Sequence, residues 1–356
     1  KELAELIKEL EALLKSPAKM RVEIGNELAE VRSRYQDRRR TQIVSLQKGK
    51  EAHELLTVQD VTPAESTWVG LMEDGRVFRT NTDNAPRQSG KDVPIQLLRV
   101  DTHQVLYLAA KNGKCATLAV HVIPGVEKPE DGVKFNKICS LDENDPPIRV
   151  FTIPVRTTLD DKVIITLSKE GLIKKSALAD VPGPSSQPFT LAKVNDGDEI
   201  VDVLITNEDT EYMVATNQGM AIRFAGNEVR AMGLPSAGVN SIKLAKGAIA
   251  VGLLDLGLAD ELLFISSDGN GWREAKDDFP LQGRYGQGVV IGKSKPGSHV
   301  VGLISGKRTT TFTVFLKKSA AKSLRMDIIS VGKRGSVAKN IIEIKAGEEL
   351  KKAVSE

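Results

Sequence analysis

Aromatic residues make up only 4% of this 356-residue chain, too few for a nucleic-acid surface built on base stacking. Cysteine is scarcer still. Cys115 and Cys139 form no metal-type pair and can make at most one bridge, so two packed thiols in a reduced, cytoplasmic protein are expected. No apolar run approaches the ~20 residues that a membrane-crossing helix requires. Histidine occurs four times, and His53-Glu54 lacks a second histidine at metal-ligand spacing, so no metal site is expected. Net charge is small as well: 50 Lys and Arg against 47 Asp and Glu leave +3. Attraction to a polyanion must therefore come from local clustering rather than from bulk charge.

An apolar fraction of 40% is enough for a sizeable core and excludes bulk disorder. Leu3, Leu6, Ile7, Leu10, Leu13 and Leu14 follow three-and-four spacing and predict an amphipathic helix. Ser16-Pro17 breaks it, with Ser as cap and Pro opening a second helix striped by Met20, Ile24, Leu28, Val31 and Tyr35. The basic run Arg38-Arg39-Arg40 follows, and Thr41-Gln-Ile-Val-Ser-Leu46 begins a strand-like regime. The chain starts inside a helical pattern without Met or signal peptide, which suggests the C-terminal piece of something longer.

The strand-rich part repeats one unit, clearest in Tyr212-Met-Val-Ala-Thr-Asn-Gln-Gly-Met-Ala-Ile-Arg-Phe224. A period of two on either side of a Gly-bearing turn predicts an antiparallel hairpin with one face buried. Turn glycines recur at Gly75, Gly113, Gly171, Gly219 and Gly269, and a weaker sixth copy carries Lys318 in that place. Steps of roughly fifty residues lie in the range of propeller blades. The expected fold is mainly β: a six-bladed, propeller-like array of antiparallel sheets behind an α-helical end segment. Expected limits are 1–40 for the helical arm, 41–350 for the wheel and 351–356 for a tail. Closing six sheets on one another removes exposed edges.

Four residues after each turn stand Arg79, Thr117, Lys175, Arg223, Arg273 and Lys322, five of them basic. Singly they read as solvating charges; set around a closed wheel they form a ring suited to a polyanion. Glycines alternate with basic or polar residues in Val229-Arg-Ala-Met-Gly, Gln282-Gly-Arg-Tyr-Gly-Gln-Gly288 and Val331-Gly-Lys-Arg-Gly335. Such loops let backbone N–H groups approach a phosphate while cations neutralise it, although inter-blade turns needing positive φ have the same composition. Gly292-Lys293-Ser294 is not a phosphate loop, because Gln287 holds the first Gly position and no helical pattern follows.

The repeats, the Arg230-Ala-Met-Gly stretch and the lead-in from Leu13-Leu-Lys-Ser-Pro to Arg39-Arg-Thr-Gln-Ile-Val44 resemble the C-terminal part of the A subunit of bacterial type IIA topoisomerases of the gyrase class. The resemblance covers essentially the whole chain. It implies a β-pinwheel that wraps double-stranded DNA, joined to the end of a coiled-coil arm. It also implies an upstream cleavage core in the same polypeptide, an ATPase B subunit, an A2B2 enzyme near the nucleoid, and ATP and Mg only elsewhere in that enzyme. The isolated domain is expected to be monomeric, with no active site of its own. Arg34-Tyr35 and Arg284-Tyr285 match an Arg-Tyr pair, but the nucleophile of the resembling enzymes lies upstream. Candidate DNA contacts are Arg79, Lys91, Lys175, Arg223, Arg230, Arg273, Gln282, Arg284, Lys322, Lys333 and Arg334.

One departure concerns the seven-residue Gln-Arg-Arg-Gly-Gly-Lys-Gly box of gyrases. Its place reads Pro86-Arg-Gln-Ser-Gly-Lys-Asp92, and the nearest likeness, Gln282–Gly288, follows the fifth hairpin. Topoisomerase IV, which lacks the box, is therefore the close alternative. A propeller that binds protein, favoured by balanced charge and acidic loops such as Asp142-Glu-Asn-Asp145, is the alternative of another class.

Overall fold

The computed structural model describes residues 2–35, 63–153, 161–257 and 259–355. Arg38–Arg40, Thr41–Leu46, His53-Glu54 and the boundary placed at residues 40 and 41 lie outside them. The chain divides into two units, Lys1–Val61 and Thr62–Glu356. In the first, helices α1 (Glu2–Leu14) and α2 (Pro17–Tyr35) meet at Ser16, whose Oγ accepts the Lys19 N–H at 3.4 Å. Leu3, Leu6, Ile7, Leu10, Leu14, Ile24, Leu28 and Val31 all stand exposed on these helices.

The second unit contains six hairpin-based sheets, the last two bridged in parallel at Gly302 and Ala353. Each hairpin pairs on one side with an inner strand. These inner strands are Gln96–Asp101, Pro147–Thr152, Ile200–Asn207, Ala250–Asp255, Val300–Gly306 and Leu350–Ser355. Inner strands of successive sheets are joined by side chains. Gln96 holds both backbone groups of Val150, at 2.5 and 2.8 Å, and Arg149 Nε donates to the Val203 carbonyl at 3.0 Å. Residues 351–355, expected as a tail, are instead most of the last inner strand, because the sixth hairpin needs a partner along Thr311–Leu316.

The outer edge of each sheet is closed by the repeat that follows. Phe189–Thr190 pairs with Lys114–Ala119 of the second sheet, Val239–Asn240 with Leu172–Ala177 of the third, Val289–Val290 with Met220–Ala225 of the fourth, and Lys339–Asn340 with Asn270–Ala275 of the fifth. In the first sheet Gly125–Val126 and Val133–Lys134 do this for Arg76–Thr80. The last donation runs from the first repeat back to the sixth. Gly90 and Ala321 exchange N–H···O bonds of 2.8 and 2.9 Å, and Thr313 Oγ1 donates to the Gln88 carbonyl at 3.0 Å. The stretch 86–92 thus closes a ring, which satisfies the open edge that a linear array would leave.

Both faces of the central hairpins are buried, not one. Tyr212 and Val214 pack with Val163 and Ile165 of the third sheet; Met213 and Ala215 pack with Leu262 and Phe264 of the fifth. Alternation along a strand therefore distributes apolar side chains between two neighbouring cores rather than between core and solvent. The core between the sixth and first sheets is the smallest, with Val93, Phe315 and Ala321 buried.

Turn glycines differ in what surrounds them. Gly219 and Gly269 have φ of 79° and 78°, but a Cβ at Gly219 meets nothing within 4 Å, whereas at Gly269 it falls 2.3 Å from the Ile342 carbonyl oxygen. Gly219→Ala should therefore cost about 1 kcal/mol of backbone strain. Gly269→Ala should cost roughly 1–3 kcal/mol more, because the returning chain must move. Urea denaturation of the two variants checks this order.

Candidate nucleic-acid interface

The basic positions four residues past the turns lie inside the ring. Arg273 is 5% exposed: Nε and Nη2 reach Glu261 Oε2 at 2.7 and 2.6 Å, and Nη1 donates to the Ile329 carbonyl at 2.9 Å. Arg223 repeats this one sheet earlier, with Glu211 at 2.8 and 2.7 Å and the carbonyls of Lys276 and Phe279 at 3.1 and 3.0 Å. Lys175, 2% exposed, donates to the Gly226 carbonyl at 3.1 Å. Arg79 Nε donates to Ile123 O at 3.2 Å, and Thr117 Oγ1 to Ser185 O at 2.9 Å. Each of the four cations fastens a carbonyl in or next to the short turn after the next hairpin, whereas Thr117 reaches Ser185 farther along the chain. The expected ring of exposed charge is therefore corrected: with both sheet faces covered, these cations are clamps between repeats. Lys322 is exposed but one step out of register, since it pairs with Val314 as Trp272 pairs with Phe264.

Exposed cations lie instead on the loops that cover the outer edges. Arg230 and Lys333 are exposed. Arg284 is half-buried: its backbone N–H donates to Glu228 Oε2 at 2.6 Å, and its guanidinium bonds the Glu228 and Asn240 carbonyls. Arg334 is exposed, with Nε on the Asp278 carbonyl at 3.0 Å. Gln282 is half-buried and takes the Arg223 carbonyl through its N–H at 2.8 Å. Lys91 is exposed in the ring-closing stretch, beside a cavity of about 800 Å³ between residues 80–92 and 126–130.

Three further lysines carry no mark in the hairpin register. Lys193, Lys243 and Lys293 are exposed and stand at steps of 50 residues just after the exchanged outer strands. Their N–H groups donate to carbonyls of the covering loop, Ser236 at 3.0 Å, Gly286 at 2.9 Å and Ser336 at 3.0 Å. The fourth place in this register is Glu343. A signal for them exists in a second glycine register, Gly197, Gly247, Gly297 and Gly347, all with positive φ. Lys243 with Arg284, and Lys293 with Lys333 and Arg334, thus give successive outer edges a cationic cluster held on fixed backbone.

Burial also perturbs two groups under the covering loops. Lys174, 1% exposed, donates to the Leu191 and Leu234 carbonyls at 2.6 and 2.7 Å, and burial pulls its ammonium down to about 8. Glu274 is fully buried beside Gly332, and both carboxyl oxygens lack a hydrogen-bond partner. Burial pushes this carboxyl up to about 8; Asp278 pushes the same way and Arg334 opposes. Among the described residues no group of His, Cys, Asp and Glu is arranged to hold a metal ion, and no helix is long and apolar enough to cross a membrane.

The profile described as "DNA gyrase C-terminal domain, beta-propeller" matches residues 162–207, 210–254 and 260–307, the third, fourth and fifth repeats. The DNA gyrase A subunit of Staphylococcus aureus (strain COL) is 25% identical over 98% of this chain and 40% of its own length. That of Salmonella typhimurium is 27% identical over 92% of the chain and 38% of its own length. The chain thus spans about two fifths of these relatives. Among solved structures, the C-terminal domain of DNA topoisomerase IV superposes with a TM-score of 0.72 at 21% identity, covering 83% of this chain and 94% of that one. The DNA gyrase A C-terminal domain superposes at 0.67 and 19%, covering 82% and 99%.

The clamp and the buried acid give separable expectations. Arg273→Ala leaves Glu261 and the Ile329 carbonyl without their cation and should lower stability by about 3 kcal/mol in urea denaturation. Glu274 keeps a proton in the folded state that the unfolded chain releases above a pH of about 4.3. Its contribution to stability therefore falls as pH rises from there towards about 8. Glu274→Gln should flatten this decline and leave the variant more stable than the parent at about pH 8, as denaturation curves at several pH values would show.

Proposed function

We propose that this chain, built from repeats of the DNA gyrase C-terminal β-propeller family, binds double-stranded DNA along its outer edge and bends it. The observation that carries this reading is the fifty-residue register of Lys193, Lys243 and Lys293, joined by Arg284, Lys333 and Arg334 on the covering loops. Cations repeated around a ring meet the phosphates of a curved duplex without reading its bases. Bending a 20–30 bp segment by 40–90° costs roughly 1–6 kcal/mol, which a few charge-assisted contacts of ~1.5–3 kcal/mol each can offset. Arg230, Lys91 and exposed Lys322 extend the same contact surface, while Arg79, Lys175, Arg223 and Arg273 support it from inside.

In the full enzyme the bent segment is presented to the cleavage core of the same polypeptide. Strand passage is then driven by ATP on a B subunit in an A2B2 assembly at the nucleoid. The work supported is negative supercoiling of the gyrase type. Topoisomerase IV remains the second reading, because Pro86–Asp92 keeps only fragments of the gyrase box. A supercoiling assay of the full enzyme separates the two.

Affinity for a duplex should fall steeply with salt, the log–log slope steepening by about 0.9 for each phosphate neutralised. Reversing Lys193, Lys243 and Lys293 together to Glu should make that slope shallower by about 2.7 while the denaturation midpoint stays put. Affinity that does not depend on salt, or a triple variant with the parental slope, would turn the reading towards a protein-binding scaffold.

A further inference from the structure

Strand pairing marks one equivalent position on each inner strand, opposite the same place in its hairpin: Gln96, Arg149, Asp202, Gly252, Gly302 and Lys352. The first three reach the next inner strand through a polar side chain. Gln96 holds Val150, Arg149 Nε donates to the Val203 carbonyl, and Asp202 Oδ2 accepts the Leu253 N–H at 3.2 Å. The next two are glycines, and there the strands close up directly. A Cβ on Gly302 would fall 2.6 Å from that of Ala353, and one on Gly252 3.3 Å from the Leu303 side chain. Lys352 does neither. Its side chain makes no hydrogen bond or ion pair among the described residues.

Lys352 lines a cavity of about 280 Å³ among the inner strands of the second to sixth sheets, and Arg149 and Asp202 line it too. The carboxylates there are already committed. Asp202 Oδ1 accepts the Val203 N–H at 2.9 Å and stands 3.7 Å from Arg149 Nη2. Asp255, the other acid of the lining, takes the Thr206 and Thr210 hydroxyls and the Gly257 N–H. Glu73 and Lys111, whose fields also reach Lys352, are paired with Lys351 and Glu199. Burial pulls the Lys352 ammonium below its usual range; Arg149 and Lys111 add to that pull, and Asp202 and Glu73 oppose it. A cation enclosed without a counter-ion is costly. Its side chain still keeps accessible surface, so the space beside it is open to a small ion.

We propose that this cavity binds one small oxyanion of the phosphate class, held between the Lys352 ammonium and the guanidinium of Arg149. Arg149 spends Nε on Val203, which leaves its two terminal nitrogens. That fork suits an oxyanion better than a spherical halide, and the ammonium adds a second charged donor. The anion supplies the link that the sixth position lacks. It joins the last inner strand to the second, on either side of the first, beside the seam whose core is smallest. The site is separate from the outer edge and requires no DNA.

The test is urea denaturation of the 356-residue chain in inorganic phosphate and in chloride, at equal ionic strength and neutral pH, with a phosphorus NMR titration of the folded protein. The denaturation midpoint should climb with the logarithm of phosphate concentration once the site fills. Lys352→Gln should bind phosphate about tenfold more weakly or worse, the loss of one charge-assisted contact. In chloride it should unfold no earlier than the parent, because it removes an unpaired cation and no bond. Lys352→Arg keeps the cation and should keep the response. So should the joint reversal of Lys193, Lys243 and Lys293 to Glu, which leaves the cavity intact. Equal midpoints in the two salts, or a phosphate response that survives Lys352→Gln, overturns the site. A response lost with the three outer lysines also overturns it, since the anion would then sit on the outer edge. A Lys352→Gln variant that unfolds early in chloride does the same, because Lys352 would then have a partner within the protein.

Discussion

Every sheet in this ring depends on hydrogen bonds it cannot make alone. A three-stranded unit leaves the outer edge of its hairpin open, and each repeat closes the edge of the one before it with a short exchanged strand. That exchange sets the spacing of the repeats, brings the covering loop over the outer edge, and places the exposed lysines beside it. The clamps from Arg223, Arg273 and Lys175 belong to the same device, since each secures a carbonyl just ahead of the exchanged segment. Scaffold and outer surface are in this sense one construction.

The division of labour among the cations follows from burial. A guanidinium enclosed between two sheets is useful only with a carboxylate and carbonyls around it, as at Arg273. A lysine that retains its hydration, as at Lys243, is available for a phosphate. The two sets lie in the same repeats, with similar spacing and opposite roles. Glu274 shows what happens when such an enclosed position receives a charge without partners: burial keeps the proton on.

Much of the architecture is legible in the residues. The hairpins announce themselves through period two and the glycines that their turns require, so six units and a mainly β ring can be read from Gly75 to Gly269 and the weaker copy beyond. The exchanged strands are not legible, because a two-residue strand such as Val239–Asn240 has no periodicity. The direction of Arg223 and Arg273 is hidden for a related reason. Alternation identifies a solvent face only when one face is covered, and here both are. The seam is equally concealed: Pro86–Asp92 reads as a broken loop motif, and only pairing with Ala321 reveals it as the last link of the ring.

The direction of strand donation also imposes a timetable on synthesis. Each sheet waits for the following repeat before its edge is complete, so the nascent chain always trails one unfinished sheet behind the ribosome. The sixth sheet is the exception, because its missing strand was made first. The stretch around Gly90 must stay unclaimed until Ala321 has emerged, more than two hundred residues later. The ring therefore becomes whole in a single late event, and a chain stopped before its last repeat would keep two unsatisfied edges rather than one.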